Sequence, residues 1–475
     1  MRPYAAQQED QQREVTVPAV NDALAQHITE ARISHAGLAY RVVTLAARRG
    51  LPAPRYNHAS VARWLRGEQP RGRTPDLLAE VFTGLLGRPV TRADLGMRAA
   101  ALPPDLGLAY ELDLDAAVTA ATDLYGTDVH RRSMLGRSAY TAVAFLVPAL
   151  RWMTAPAAQL TDRSGSRRVG VANVTAIREV TATFRRLDNL FGGGYARSTV
   201  VQYLADEVGP LLREGTYTAA LGRELFSAAA EMTLLAGWMA YDLEQHPIAQ
   251  RYLIQALRLA HAAGDQALGG EILAAMSCQA AYLGDGSGAV DMARAAQTSA
   301  RRAGSAALLS EALVTEAHGH ALTADPRACA VALTAASQAL DRSTPDCEPR
   351  WLQYFDAAYL AAKTGRALLD CGDPGQAAVS MRASLDMAGG FTRGRTFNLA
   401  LLAGALFDAG QVDEGAAAGR QALEAADGIE SARITGELAS LASRASRHRS
   451  AGPVRELLPA LPTGRRGVRA LPAAR

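Results

Sequence analysis

A turn motif that recurs between residues 225 and 441 constrains the fold of this chain more than any other feature. Each copy is a short Gly/Asp/Pro turn followed by an alanine, and successive alanines are 40, 39, 49 and 39 residues apart. The longest interval contains the polar loop 341–350. Such a period is typical of stacked helical hairpins, in which each unit covers the apolar side of its neighbour. The alanines that open the second helix of each predicted hairpin are Ala249, Ala289, Ala328, Ala377 and Ala416.

The composition favours an all-α protein with more than one domain. Alanine far outnumbers the aromatic residues, with 4 Trp and 9 Phe, and alanine is the strongest helix former. A chain of 475 residues is too long for one core. Helices rich in alanine but without superhelical order are the alternative to a solenoid. The predicted regions are a disordered arm (1–20), a small helical DNA-binding domain (21–100), a helical intermediate region (106–220), a repeat domain (221–443) and a basic disordered tail (444–475).

Turns within the intermediate region are expected where glycine, serine or proline interrupts the helical pattern, at Gly126, 164–166, 192–194 and Gly209-Pro210. The glycine-rich loop 191–197 lacks the Gly-Lys-Ser/Thr ending of a nucleotide-binding loop, so it predicts a turn between helices. The nearby Arg185, Arg186 and Asp188 are expected either to form ion pairs or to line a groove.

Charge is polarised along the chain, although the net charge is only +3. Residues 1–100 carry 14 Arg and 9 acidic residues, and residues 444–475 carry 8 Arg and one Glu, so the middle of the chain is acidic. Basic ends of this kind indicate a nucleic-acid partner. Lys363 is the only lysine among the 50 basic residues. A GC-rich coding sequence explains most of this preference for arginine over lysine, although arginine also suits phosphate binding.

Several other classes of protein are disfavoured. The longest apolar stretch, 139–150, is interrupted by Pro148 and is shorter than the ~18–20 residues of a membrane helix. The polar start of the chain has no hydrophobic signal core. Four cysteines without a CxxC pair or a histidine at ligand spacing predict reduced thiols rather than zinc ligands. We therefore predict a cytoplasmic, nucleoid-associated protein that is not an enzyme and has no metal, cofactor or membrane partner.

Residues 55–70 carry the functional prediction. Asn57 suits a helix N-cap and Gly67 a helix end, while Val61, Trp64 and Leu65 share one apolar face. The opposite face is small at its start and cationic at its end, which suits a helix that enters the major groove. Residues 41–73 hold eight arginines and one acid, Glu68. The predicted DNA-binding residues are Arg55, Asn57, His58, Ala59, Ser60, Ala62, Arg63, Arg66, Arg71 and Arg73.

This segment resembles the phage-repressor-like (XRE-type) helix-turn-helix family. The resemblance covers residues 21–97 and rests on Val61-x-x-Trp64-x-x-Gly67-x-x-Pro70, preceded by Ser34-x-x-x-Leu38-Ala39 and followed by a packing helix over 75–82. One departure is the separation of some 17 residues between Ala39 and Asn57, where the family has a tight turn.

The repeats resemble tetratricopeptide hairpins, best in Gly237-Trp238-x-x-Tyr241 followed by Pro247-x-Ala249-x-x-Tyr252, although their spacing exceeds the ~34 residues usual for that repeat. The two features together, with the strings 63–67, 70–72 and 94–96, resemble actinobacterial regulators of differentiation and antibiotic production. That resemblance implies a repressor that binds double-stranded DNA. We expect a homodimer whose repeats serve dimerisation or receive a peptide, small molecule or protein effector. The alternative is a protein-interaction scaffold without DNA binding.

Overall fold

The fold is all-α, as predicted, in a computed structural model of the chain. It divides into two compact units, Met1–Leu102 and Pro103–Arg475, each with its own core. None of the helices within the described ranges is both long and apolar enough to cross a membrane. The structure describes residues 21–48, 55–70, 73–88, 90–92, 94–97, 105–135, 139–156 and 160–462.

The described residues of the first unit form four helices around a small apolar core. Leu38, Val42 and Phe82 are fully buried in it, on turns of two different helices. Asn21 joins the ends of the unit, because its side chain caps the first helix and donates to the Leu95 carbonyl at 2.9 Å. The helices are α1 (Asp22–Glu30), α2 (His35–Arg48), α3 (His58–Leu65) and α4 (Thr74–Leu86).

The second unit begins with helices of uneven length and one two-residue parallel strand pair. The predicted turn at 192–194 is present, but turns at Gly126 and Gly209-Pro210 were wrong predictions. Gly126 lies inside α5, and Gly209 and Pro210 lie in α9, which continues directly from a π-helical turn over Leu204–Val208. The elements are α5 (Leu114–Leu135), α6 (Leu146–Thr154), β1 (Arg167–Arg168), α7 (Val171–Phe191), α8 (Gly193–Tyr203), α9 (Gly209–Glu214) and β2 (Gly215–Thr216).

Five consecutive helical hairpins and one further helix follow, and every predicted hairpin turn coincides with a turn of the structure. The second helices begin at His246, Gly286, Pro326, Pro374 and Val412. The hairpins are α10 (Ala219–Asp242) with α11 (His246–Ala263), α12 (Gln266–Tyr282) with α13 (Gly286–Ala303), α14 (Ala306–Leu322) with α15 (Pro326–Leu340), α16 (Ala357–Asp370) with α17 (Pro374–Ala383), and α18 (Thr392–Asp408) with α19 (Val412–Ala425); α20 (Ala432–Ala445) follows.

The recurring turn has a specific physical cause. The aspartate within it caps the next helix: Asp285, Asp325 and Asp373 each accept a hydrogen bond from the backbone N–H three residues on, at 2.9–3.0 Å. The residue that ends the first helix takes a left-handed conformation, which glycine adopts without strain at Gly284 and Gly372. Both requirements are met by the sequence at Gly284-Asp285 and Gly372-Asp373, whereas Gln245 and Gln411 begin the second helices of the first and fifth hairpins without a side-chain cap.

Residues 105–135 and 139–156 include α5 and α6, which pack against α11 and α13 of the hairpins. Gln255 on α11 donates to the carbonyls of Gly107 and Ala109 at 3.0 and 2.9 Å. Trp152 donates to Ser299 on α13 at 2.8 Å. These bonds give partners to the buried Gln255 amide N–H groups on α11 and to the buried Trp152 indole N–H. The predicted intermediate region is therefore part of the same packed unit as the repeats.

The prediction of a disordered tail from residue 444 is wrong for residues 444–462. They form helical turns that include α21 (Gly452–Leu457). Val454, Leu457 and Leu461 are almost completely buried, and Leu457 packs on Gly419 of α19. Three apolar side chains at helical spacing outweigh the surrounding arginines and prolines, which stay at the surface.

Candidate nucleic-acid interface and an internal cavity

The start of α3 is fixed by its own sequence. The Asn57 side-chain carbonyl accepts hydrogen bonds from the backbone N–H groups of Ala59 and Ser60 at 3.1 and 3.2 Å. The Ser60 hydroxyl accepts in turn from the Asn57 N–H at 3.4 Å, which completes a capping box. Gly67, at φ 95°, follows the last turn and ends the helix.

One side of α3 is anchored in the core, as predicted. Trp64 is only 3% exposed and Val61 is fully buried. The Tyr56 ring meets the Trp64 ring edge-on, with centroids 5.0 Å apart, and its hydroxyl lies 2.7 Å from the Thr74 hydroxyl. These contacts fix the rotation of α3 about its axis and hence which side chains reach solvent.

The opposite side of α3 faces solvent. His58, Ala59, Arg63 and Arg66 are exposed, and Ala62 is half-buried. Arg63 lies 3.4 Å from Glu68, but both side chains are more than half exposed. Exposed ion pairs of this kind are weak, so a phosphate can displace Glu68.

Two of the predicted DNA-binding residues need separate comment. Ser60 is buried, at 3% exposure, and its hydroxyl is used in the capping box, so its assignment to the DNA-contacting surface is wrong. Arg71 lies outside the described residues, as does the neighbouring Gly72.

The basic segment around α3 forms an exposed surface, which we call the arginine surface. Every described arginine between residues 41 and 73 is exposed. The longer separation of Ala39 from Asn57 is largely helix, because α2 continues to Arg48, and residues 49–54 lie outside the described part. The arginine surface consists of Arg41, Arg48, Arg55, Arg63, Arg66 and Arg73.

The second unit contains a cavity of about 210 Å³, lined by the first helix of all five hairpins together with α7 and α20. One end holds a network of charges. Arg393 on α18 donates to the carboxylates of Asp188 and Asp242 at 3.1 and 3.3 Å. Burial raises the pKa of Asp188 to about 6, although Arg393 opposes the shift. The sequence left open whether Arg185 and Asp188 form ion pairs or line a groove. In the structure each residue does both, since each makes an ion pair and lines the cavity.

Arg433 on α20 lies between aromatic rings at the same end. Its guanidinium carbon is 4.4 Å from the centre of the Tyr241 ring and 4.6 Å from that of Phe397. It also lies 3.8 Å from Asp242. Arginine is suited to this position, because its planar group stacks on rings while its edge pairs with a carboxylate.

A second group of polar residues lies elsewhere on the cavity wall. The Tyr354 hydroxyl contacts Glu271 at 2.7 Å and both carboxyl oxygens of Glu311 at 2.9 Å. Burial, followed by the nearby Glu271, raises the pKa of Glu311 well above its ordinary value. Two carboxyl groups that share one hydroxyl in a buried site favour a state in which one of them holds a proton.

Lys363 on α16 also lines the cavity. Its ammonium group lies 3.2 Å from the sulfur of Cys278, and 5.4 Å from the centre of the Tyr359 ring. None of the described carboxylates pairs with it within 4 Å. All four cysteines, including Cys278, are free thiols.

Sequence reasoning did not find this cavity, because its charged residues come from seven helices and share no local motif. The usable signal was the presence of charged residues within otherwise apolar first helices, such as Glu271 and Glu311. The loop 192–194 helps to close this part of the unit. A side chain on Gly193 would lie 2.6 Å from the Met239 carbonyl, and the Gly193 N–H donates to Asp242 at 3.0 Å. Glycine is needed there for close approach.

The family model for the SP15 N-terminal domain matches residues 24–98. The match covers 75 of the 475 residues and nearly coincides with the described part of the first unit. No curated protein matches the chain. The similarity therefore concerns the unit that carries the arginine surface.

Proposed function

We propose that the chain is a DNA-binding transcription regulator that uses α3 as its recognition helix. The observation that carries the proposal is the two-sided character of α3. Trp64 anchors the helix in the core, while Arg63 and Arg66 extend into solvent. A recognition helix has this arrangement: one side packs on the core of its domain, and the other side carries the cationic side chains that contact DNA.

The proposed contacts divide between the two ends of α3. His58 and Ala59, in the first turn, are exposed, and the small Ala59 allows close approach to base edges. Arg63 and Arg66, in the last turn, bind phosphates together with the rest of the arginine surface. Positively charged side chains that neutralise phosphates supply most of the sequence-independent affinity.

The second unit would couple this surface to dimerisation or to an effector. A two-fold dimer presents two recognition helices, which matches palindromic half-sites. The protein would act in the cytoplasm, at the nucleoid, as a repressor of differentiation or secondary metabolism. The sign of regulation follows from the family resemblance alone, so a reporter measurement has to determine it.

The test is DNA binding by the full-length protein to a pool of random-sequence duplexes, measured by mobility shift over a series of salt concentrations. The Arg63→Ala/Arg66→Ala variant should bind more weakly and lose about 1.8 from the slope of log K against log salt, because each phosphate contact contributes ~0.9. The matched control is Arg32→Ala/Arg88→Ala, which removes two arginines from the same unit outside residues 41–73.

Equal weakening in both double variants would indicate a general charge effect and would remove α3 as the recognition helix. Wild-type protein that shows no DNA binding at low salt would contradict the proposal altogether. A scaffold would then be the better interpretation, and it would be recognised by partner proteins that co-purify after nuclease treatment.

A further inference from the structure

We propose that the cavity of the second unit binds a small amino acid, whose ammonium group lies on the carboxyl groups of Glu271 and Glu311 and whose carboxylate lies on Lys363. This site is separate from the arginine surface. The inference does not rest on DNA binding, and it assigns a ligand class to a cavity that sequence motifs did not reveal.

The carboxyl groups provide the first argument. Glu311 is only 3% exposed, and it shares the Tyr354 hydroxyl with Glu271. One hydroxyl supplies one proton donor to two acidic groups, and a proton held between Glu271 and Glu311 is the only other donor that the pair itself can provide. An ammonium group brings three N–H donors and a positive charge, so it can replace that proton and stabilise both carboxylates.

An acceptor elsewhere on the cavity wall lacks a partner. Asp188 is 1% exposed, and its Oδ1 accepts no hydrogen bond from the described residues. Buried polar atoms are almost always hydrogen-bonded in folded proteins. An unused acceptor on the cavity wall therefore indicates a ligand or solvent that donates hydrogen bonds.

Lys363 provides the complementary group. It makes one hydrogen bond, to the Cys278 sulfur, which is a weak acceptor, and thus leaves donors of its ammonium group available. The Tyr359 ring beneath it lies 5.0 Å from the Tyr354 ring, so Lys363 and the acid pair occupy neighbouring parts of the wall. A ligand that carries both an ammonium and a carboxylate group matches both.

The cavity size limits the ligand to a small molecule. A volume of about 210 Å³ is below the ~300–1,000 Å³ of pockets that hold drug-sized ligands. Trp238, Tyr241 and Tyr282 contribute aromatic surface for an apolar side chain. A free amino acid suits this space better than a folded peptide segment does.

Binding should be accompanied by proton release. Burial and the nearby Glu271 raise the pKa of Glu311, which favours a proton on the acid pair, and Cys278 and Lys363 also face Glu311. An ammonium group placed between the two carboxyls favours ionisation of both. Ligand binding should therefore release protons from the acid pair.

The experiment screens the standard amino acids individually against the full-length protein by thermal unfolding, followed by titration calorimetry of any hit in two buffers of different ionisation enthalpy. For each hit, the amine without the carboxylate and the acid without the amine are compared. We expect at least one amino acid to stabilise the protein, to release protons, and to bind more tightly than either analogue.

The variants Glu271→Gln and Lys363→Met should each weaken binding of the hit by ~10–100-fold, because each removes a charge-assisted hydrogen bond. Tyr354→Phe provides a second, smaller change at the acid pair if Glu271→Gln does not fold. Glu424→Gln is the control, since it makes the same substitution at an exposed carboxylate of the same unit.

Three results would overturn the proposal. The first is that no amino acid changes the unfolding temperature. The second is that the acid without the amine binds as tightly as the hit, and the third is that Glu271→Gln leaves its affinity unchanged. An amine that binds as tightly as the amino acid would remove Lys363 from the site. No DNA is present in this experiment, so its failure is independent of the proposed recognition helix.

Discussion

Arginine is used in opposite ways in the two units. In the first unit, Arg66 and the rest of the arginine surface are exposed to solvent. In the second, Arg393 and Arg433 are largely buried, and each lies on a carboxylate or an aromatic ring. The arginine side chain is therefore exposed to solvent on the arginine surface, whereas in the second unit it pairs within an internal charge network.

The difference has an energetic basis. An exposed guanidinium remains hydrated, so its removal changes binding to a partner more than it changes folding. A guanidinium taken out of water must be paired, and its removal leaves its carboxylate partners buried without compensation. Stability measurements on matched arginine substitutions therefore distinguish the two uses.

The largest effect is expected for Arg393→Ala. This substitution leaves Asp188 and Asp242 without their shared cation, and breaking a buried ion pair costs ~3–5 kcal/mol. Arg66→Ala on the arginine surface should stay within ~0.5 kcal/mol. Urea unfolding followed by circular dichroism measures both. Equal stability of the two variants would contradict the comparison, because it would mean that the internal network does not need its cation.

A smaller loss is expected for Leu457→Ala, which tests whether the basic C-terminal stretch belongs to the packed unit. Leu457 is 1% exposed and contacts Gly419 of α19, so its truncation should cost ~2–5 kcal/mol. Arg455→Ala, two residues earlier at an exposed position, is the control and should change stability little. If Leu457→Ala were as stable as that control, the result would contradict the packing of this stretch and support the sequence-based prediction of a disordered tail.

These regions also show which parts of the structure the sequence could predict. The hairpin turns were predictable because their Asp caps and left-handed glycines are local requirements, as at Asp285 and Gly284. The apolar stripe of α3 was predictable for a similar reason, since Val61 and Trp64 are one turn apart. Local signals of this kind need no knowledge of distant residues.

Local sequence signals could not predict the tertiary contacts. Gly126 was interpreted as a turn, but α5 continues through it, because the adjacent Leu124, Tyr125 and Asp128 are buried by tertiary packing. The arginines near Leu457 hid an apolar stripe of only three residues. The acid pair joins Glu271 and Glu311, which are 40 residues apart in sequence and meet only when successive hairpins stack.

The pH dependence of stability provides a finer test of the internal charges. A carboxyl whose pKa is higher in the folded state binds more protons there than in the unfolded chain. The free energy of unfolding should therefore fall as the pH rises from the ordinary glutamate pKa of 4.5 towards the raised pKa of Glu311. Asp188 contributes in the same direction between 3.8 and about 6.

In the variant Glu311→Gln the free energy of unfolding should fall less as the pH rises, because an amide does not ionise. The variant should therefore gain stability relative to wild type at the upper end of the pH range. Urea unfolding at a series of pH values gives both slopes. Glu424→Gln, the exposed control of the same unit, should keep the wild-type dependence of stability on pH. An unchanged slope in Glu311→Gln would show that the acid pair does not hold the proton inferred from its burial.

The smallest effect is expected at the start of α3, where the first unit depends on a cap rather than on buried charge. Asn57→Ala removes the acceptor for two backbone N–H groups and should cost ~0.5–2 kcal/mol, whereas Asn57→Asp keeps an acceptor and should cost less. DNA binding separates two roles of the residue. If Asn57 only positions α3, Asn57→Ser should bind DNA like wild type, because serine is also a good cap. If Asn57→Ser folds normally but loses affinity, the residue also contacts the duplex, and the recognition surface extends beyond the exposed arginines.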